Sequence, residues 1–383
     1  MNYWDGERGY ERANMSDVIT EICNGVGCIT LNRPKALNAL SLGMVRDITA
    51  ALLAWQGDAA VKAVAIRGVN KQGVFGAFCA GGDIRFFHQA ALAGNPQLED
   101  FFTEEYTLNH LIATYPKPYV SFMDGIVMGG GMGLAQGSRL RIVTERTQMA
   151  MPETGIGLFP DVGGGYFLSR CPGHVGEYLA LTGRVIGGAD AVALGLADVQ
   201  AASDDLPAMW ARLTSGQMHL AAPVNTWFAI NNVAAPADST WASSQIDSFF
   251  ALPTVPAILQ ALEASTDTWP EETAALLRKR SPLMLHVVLQ HIRRARGMHL
   301  ADILRMERDL VRHCFHAAHL ERSGASSETV EGIRALAVDK DHAPQWNPSH
   351  VEDVTPEMVE PFFRSPWPVH AHPLRALGSQ PSL

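Results

Sequence analysis

Apolar and polar residues first alternate close to the start of the chain. "VITEIC" and "CITL" flank Asn24-Gly25, a dipeptide suited to a tight hairpin turn, so residues 18–31 are predicted to form a β-hairpin. The period then changes. In "SLGMVRDITAALLAW", Met44, Val45, Ile48, Leu52 and Trp55 recur at helical spacing behind Ser41, which stands in the N-cap position. "VKAVAIRG" predicts a strand, and "DIRFFHQAALA" and "LEDFFTEEYTLNHLIAT" predict helices. "PYVSFMDGIV" and "LRIVTE" read as strands, with "GGGMGLAQGS" opening a helix between them. "TQMAMPE" is a further short strand, and "VGEYLALTG" and "GADAVALGLA" are short helices. Up to about residue 200 the repeated unit is strand, strand, helix, an α/β pattern with crossovers rather than a simple βαβ alternation. Beyond it the strand signal fades and successive helices follow, from "TWASSQIDSFFALPTVPAILQALEA" to "LADILRMERDLVRHCFHAAHL". The expected divisions are a loose start at 1–14, a core at 15–200, a mainly helical region at 201–365, and a loose Pro-, His- and Ser-rich tail at 366–383.

Composition narrows the function classes. Of 383 residues 47% are hydrophobic and 18% charged, which describes a well-cored globular chain without general disorder. The formal charge of −9 argues against a nucleic-acid binder but leaves room for an anionic small molecule held by a local basic site. No run reaches the ~18–20 apolar residues of a membrane span. The longest candidate, "VSFMDGIVMGGGMGLA", is interrupted by Asp124 and by glycines. The start, "MNYWDGERGYERAN", has mixed charge and no apolar centre, so it reads as neither signal nor transit peptide. Cys23, Cys28, Cys79, Cys171 and Cys314 are an odd set without a CxxC pair, as in reduced thiols of a cytoplasmic protein. Cys79 lies in a Gly-rich segment, but nothing beside it would lower its pKa, and it reads as a small buried residue.

Several familiar motifs are missing. The chain has no GxxxxGK[ST], GxSxG or HExxH, and "MGGGMGL" lacks the last glycine of a dinucleotide fingerprint. His313, His316 and His319 recur every three residues beside Arg312 and Arg322, a pattern that suits a packing or solvated face better than a metal site. Neither a metal nor a redox cofactor is implied.

Three segments remain. "FCAGGDIRFF" and "MDGIVMGGGMGLA" each run from a strand or loop into a helix, where free N–H groups carry partial positive charge. Glycine lets a carbonyl approach such N–H groups, so two of these termini brought together would make an oxyanion hole. The alternative is that the glycines serve turns and helix packing. The third segment, "MPETGIGLFPDVGGGY", sets Glu153 and Asp161 in otherwise uncharged surroundings.

In order, "ITLNRPKALNAL", "FCAGGDI", "KPYVSFMDGIVMGGGMGLA", "MPETGIGLFPDVGGGYFL" and "LTGRVIGGADAVALGLAD" resemble the crotonase (enoyl-CoA hydratase/isomerase) superfamily over residues 18–200. The resemblance implies a crotonase-like spiral of ββα units, here followed by the mainly helical C-terminal region. It also implies an acyl-CoA substrate and an oxyanion hole at Gly82 and Gly130. Hydratases of this type carry one Glu at the end of "GGGxE", where this chain has Gly133, and a second that matches Glu153. Asp161 stands where hydratases have a small residue. Together with "EEYTLNHLI" and the late "VEGIRALAVDKDHAPQWNP" it is similar to the 3-hydroxyisobutyryl-CoA hydrolase subfamily, which extends the resemblance to residues 18–360.

That subfamily implies hydrolysis of a 3-hydroxyacyl-CoA thioester in valine breakdown. Glu153 would attack the carbonyl or act as general base, and Asp161 would accept a hydrogen bond from the 3-hydroxyl. Asp161 has a competing reading as a helix cap ahead of the triple glycine, and Glu105 one as a solvated helix face instead of a pocket residue. Arg33, Lys35 and Ala80 are candidate CoA contacts. Superfamily members form trimers or hexamers, so a homo-oligomer is one expectation; the long C-terminal part folding back over the CoA site is the other. An enoyl-CoA hydratase is opposed by Gly133, a single-Glu isomerase is not, and a non-catalytic CoA-binding member is opposed by the presence of both acids.

Overall fold

A computed structural model describes residues 16–228 and 243–378; the predicted loose start at 1–14 lies outside the described residues. Strands β1 (Val18–Cys23) and β2 (Val26–Leu31) pair antiparallel. Asn24 and Gly25 turn the chain with φ of 48° and 87°, the left-handed pair that a type I′ turn requires. The other strands are β3 (Ala63–Gly68), β4 (Tyr119–Met123), β5 (Ile126–Met128), β6 (Leu140–Val143), β7 (Gln148–Ala150) and β8 (Val199–Gln200). One six-stranded sheet has the order β1-β2-β3-β4-β6-β8, parallel from β2 onward, and a second sheet pairs β5 with β7. Every residue of β2 and β4 is buried, as expected of parallel strands covered on both faces.

Two later repeats give their first strand to the large sheet and their second to the small one, β4 with β5 and then β6 with β7. The stretch "PYVSFMDGIV", expected as one strand, therefore splits at Asp124-Gly125. The buried Asp124 carboxylate fixes the bend by accepting from Gly76 N at 2.6 Å and Thr144 Oγ1 at 2.7 Å, with Arg146 closing it from outside. A single-residue bridge from Cys79 to Val127 extends the small sheet. That pairing lays the first glycine-rich segment beside the entry to the second.

Among the described residues the strands end at Gln200; the helix Leu206–Thr214 then packs Leu206, Trp210 and Leu213 with Phe75 and Phe122 in a second apolar cluster. Pro282–Ala295 packs on Val175–Thr182, and Leu300–Phe315 packs on Gln97–Ala113, in one continuous apolar cluster. The tail expected to be loose is not so at 366–378. Leu374 and Leu377 are buried, and Arg305 Nε donates to Leu374 O at 3.1 Å. Apolar anchors three residues apart outweigh the polar composition there. His313 and His319 donate to Arg364 O and Met358 O, both at 2.9 Å, and flank Phe362. These two histidines hold a packing face. No helix among the described residues is long and apolar enough to cross a membrane.

Candidate active site

The two glycine-rich segments meet at one cavity. Gly82 precedes the helix Ile84–Ala93, and Gly130 opens the helix Gly130–Gln136. A Cβ on Gly130 would lie 3.4 Å from Gly82 N and 2.5 Å from Glu105 Oε1, so the amides are neighbours and only glycine leaves the space between them open. Neither N–H takes part in the backbone hydrogen bonding of the described residues. Gly81 and Gly129, with φ of 101° and 48°, make the turns that aim the segments.

The cavity is about 340 Å³ and is lined by Ala80, Gly82, Glu105, Gly130, Glu153 and Asp161, with apolar walls from Phe87, Phe102 and Leu158. Glu153 begins the short turn Glu153–Ile156, directly after Pro152, and its Oε2 has no hydrogen-bond partner. Glu105 is 2% exposed and its Oε1 is likewise unpartnered. Its neighbour Glu104 points the other way and pairs with Arg46 at 2.6 Å, so the solvated-face reading belongs to Glu104. Asp161 Oδ2 accepts from the Tyr106 hydroxyl at 2.7 Å. The next residue, Val162, has φ of 54°, an uncommon and strained conformation for a β-branched side chain.

Burial raises all three carboxyls. Asp161 is pushed up to about 7, chiefly by burial and further by the Glu307 charge, against the Tyr106 hydrogen bond that favours its ionised form. Glu105 and Glu153 are held well above the usual range by burial first and by the Asp161 charge second. Acids this close titrate as a set. A folded-state pKa raised above the unfolded one stabilises the fold at low pH, and that stability is lost as pH rises through the folded pKa. For Asp161 the window runs from its ordinary 3.8 to about 7. The melting temperature of the protein without substrate should fall across this range, and Asp161→Asn should flatten the fall by removing one titrating group. Parallel melting curves for parent and variant between pH 5 and 8 (roughly the window of maximal stability for most proteins) would count against this account.

Two residues of the site carried no signal in the sequence. Glu307, on Leu300–Phe315, is fully buried; its carboxylate accepts from Gly163 N at 2.7 Å and Gly165 N at 3.0 Å, with His291 Nε2 at 3.2 Å. Glu307 thus caps the triple glycine, the role weighed for Asp161. The Asp161 side chain is left free to face the cavity. Arg280 is the one cation among the described lining residues, its Nε donating to Thr182 O at 3.0 Å. With Leu336, on a wide turn at Arg334–Val338, it brings the C-terminal region back over the cavity.

The remaining candidates lie apart. Arg33 pairs with Asp83 at 2.9 Å and donates to Ala39 O, and Lys35 is exposed; neither lines the cavity. Cys79 is buried with Sγ against Asn38 O at 3.1 Å, and burial pushes its thiol up to about 12, which suits packing and not nucleophilic attack. At Gly133 a Cβ would stand 2.7 Å from Val162 Cβ and 2.8 Å from Asn109 Nδ2. The place of the missing hydratase acid is filled by these two neighbours.

Paired glycine amides over buried acids, at the junction of two sheets wound in repeated ββα turns, define a crotonase-like protein. Residues 26–363 match the enoyl-CoA hydratase/isomerase family, and the chain belongs to it. Among curated relatives it is 39% identical over 347 residues to the "3-hydroxyisobutyryl-CoA hydrolase, mitochondrial" of Xenopus tropicalis, covering 88% of this chain and 86% of that one. It is also 39% identical over 361 residues to "3-hydroxyisobutyryl-CoA hydrolase 1" of Arabidopsis thaliana, covering 92% and 93%. Similar solved structures are a carnitinyl-CoA dehydratase from Mycobacterium thermoresistibile (40% identity, TM-score 0.80, 91% and 96% covered) and an enoyl-CoA hydratase from Rhodobacter sphaeroides 2.4.1 (38%, 0.81, 91% and 97%). The vertebrate relatives are named as mitochondrial, which lends no support to the cytoplasmic expectation.

Proposed function

We propose that this protein hydrolyses a short 3-hydroxyacyl-CoA, most favourably 3-hydroxyisobutyryl-CoA from valine breakdown, to the free hydroxy acid and CoA. The observation that carries the reading is the placement of Asp161 beside Glu153 in the cavity, while Gly133 offers no acid and no room for one. The Gly82 and Gly130 N–H groups polarise the thioester carbonyl and hold the oxyanion as its carbon becomes tetrahedral. Glu153 either attacks that carbon, giving a mixed anhydride that water then opens, or takes a proton from the attacking water. In both routes the C–S bond breaks and the sulfur leaves as CoA thiol after gaining a proton. Glu153 must be ionised to act, so the rate is expected to climb with pH as the acid cluster loses protons through neutrality. Asp161, held by Tyr106, accepts a hydrogen bond from the 3-hydroxyl.

The names of the solved relatives favour a second reading, an enoyl-CoA hydratase or isomerase. A two-acid hydratase is opposed by Gly133; a single-acid isomerase is not. Thiol release from 3-hydroxyisobutyryl-CoA separates these readings. Absence of thiol release, with loss of crotonyl absorbance, would establish the hydratase reading, and migration of the double bond would establish the isomerase. Asp161→Asn should reduce turnover of the 3-hydroxylated thioester about tenfold more than that of plain isobutyryl-CoA, the size of one hydrogen bond to a charged group. Equal losses would remove the hydroxyl-binding role.

A further inference from the structure

A second cavity, of about 210 Å³, lies behind the first. Three elements line the first cavity with earlier residues and the second with later ones. The helix Gln97–Ala113 gives Glu105 and then Asn109; the Gly130–Gln136 segment gives Gly129 and then Gly133; the loop gives Asp161 and then Val162. The steps on both helical segments are of four residues, about one turn, so the second cavity continues the same groove. Its walls include Ala113, Phe167, Leu194 and Leu300, and also Arg141, paired with Asp198, and Arg170, stacked on Tyr166. Asn109 is 4% exposed, and both atoms of its amide lack partners, so no protein group fills this space.

Between the two sets of lining residues stand the Tyr106–Asp161 hydrogen bond and, beside it, Val162, whose Cβ lies 2.7 Å from where a Cβ on Gly133 would stand. We propose that Val162 is the stop that sets acyl-chain length, and that cutting it back admits the tail of a medium-chain 3-hydroxyacyl-CoA into the second compartment. This rests on the hydrolase reading of the first cavity. Three features favour it. The walls beyond the stop are mainly apolar, as an alkyl tail needs. The compartment starts one residue past the acid assigned to the 3-hydroxyl. The left-handed backbone at Val162 is one that glycine adopts without strain, so the side chain is retained against a local cost.

The test compares thiol release from 3-hydroxyisobutyryl-CoA and 3-hydroxyoctanoyl-CoA by the parent, Val162→Gly and Val162→Ala. Calorimetric binding of both thioesters is measured alongside. In at least one variant the long-to-short ratio of kcat/KM should rise about tenfold or more, the scale of discrimination in an apolar pocket. Adding Ala113→Leu, which narrows the second compartment, should reverse the rise. A ratio unchanged or lowered in both variants overturns the proposal. A parent that releases thiol from neither substrate overturns the hydrolase reading instead, and the ratio of binding affinities then decides the compartment separately.

Discussion

Glu153→Gln is expected to leave a folded protein that releases CoA about 10³-fold more slowly, the usual contribution of a positioned acid or base. The amide keeps the size of the side chain and loses both capacities assigned to it, attack on the carbonyl and proton abstraction from water. The paired Gly82 and Gly130 N–H groups remain, and on the proposed mechanism they would account for the residual turnover. The same change should stabilise the protein. Glu153 is 6% exposed with an unpartnered Oε2, so at high pH it is a buried charge without compensation, and glutamine is neutral at every pH. Thiol release and a melting curve on one preparation measure both effects. Turnover within about tenfold of the parent, well below the loss expected of a lost acid or base, would take Glu153 out of the chemistry.

Glu307→Ala should cost about 3 kcal/mol of stability, because it strips the acceptor from two buried backbone N–H groups and from His291. The loop from Asp161 to Gly165 then loses the clamp that holds its turn, and activity should fall with it although Glu307 touches no substrate. Glu307→Gln is the more informative variant. Its amide oxygen can accept from only one of the two N–H groups with its usual geometry, so part of the stability goes. Its neutral side chain also withdraws a negative charge that raises the Asp161 pKa. The limb of the pH–rate profile that reports the acid cluster should therefore move to lower pH. Urea unfolding and that profile are the measurements, and an unchanged profile in a destabilised protein would reduce Glu307 to a packing role.

Local signals carried the first half of the chain well. The Asn24-Gly25 turn, the Ser41 cap, whose Oγ accepts from Met44 N at 3.2 Å, and the two glycine-rich helix starts are all features of a few adjacent residues. Glu153 and Asp161 stood out because acids are rare in such apolar surroundings. What escaped was set by distant partners. The split at Asp124-Gly125 depends on the Gly76, Thr144 and Arg146 contacts, which no single window contains. Tyr106 lay within the "EEY" motif but had no role until Asp161 was placed against its hydroxyl. Glu307 sits in an ordinary amphipathic helix and Arg280 in the turn between Thr268–Leu277 and Pro282–Ala295, and only tertiary packing turns them inward. The tail at 366–378 was misjudged because proline and histidine counts say nothing of where Leu374 and Leu377 lodge.

The Glu307 clamp also orders events during synthesis. Its bonds to Gly163 and Gly165 join residues 144 and 142 positions apart in the chain. While the ribosome has delivered only the ββα repeats, the stretch bearing Asp161 has no acceptor for those two amides, and a large apolar face awaits the helices still to come. Contacts this remote in sequence form late. The nascent repeats should thus engage chaperones and resist proteolysis poorly until Leu300–Phe315 has emerged. Catalytic competence would be acquired in the last fifth of translation, and a chain released early would hold most of the motifs and none of the activity.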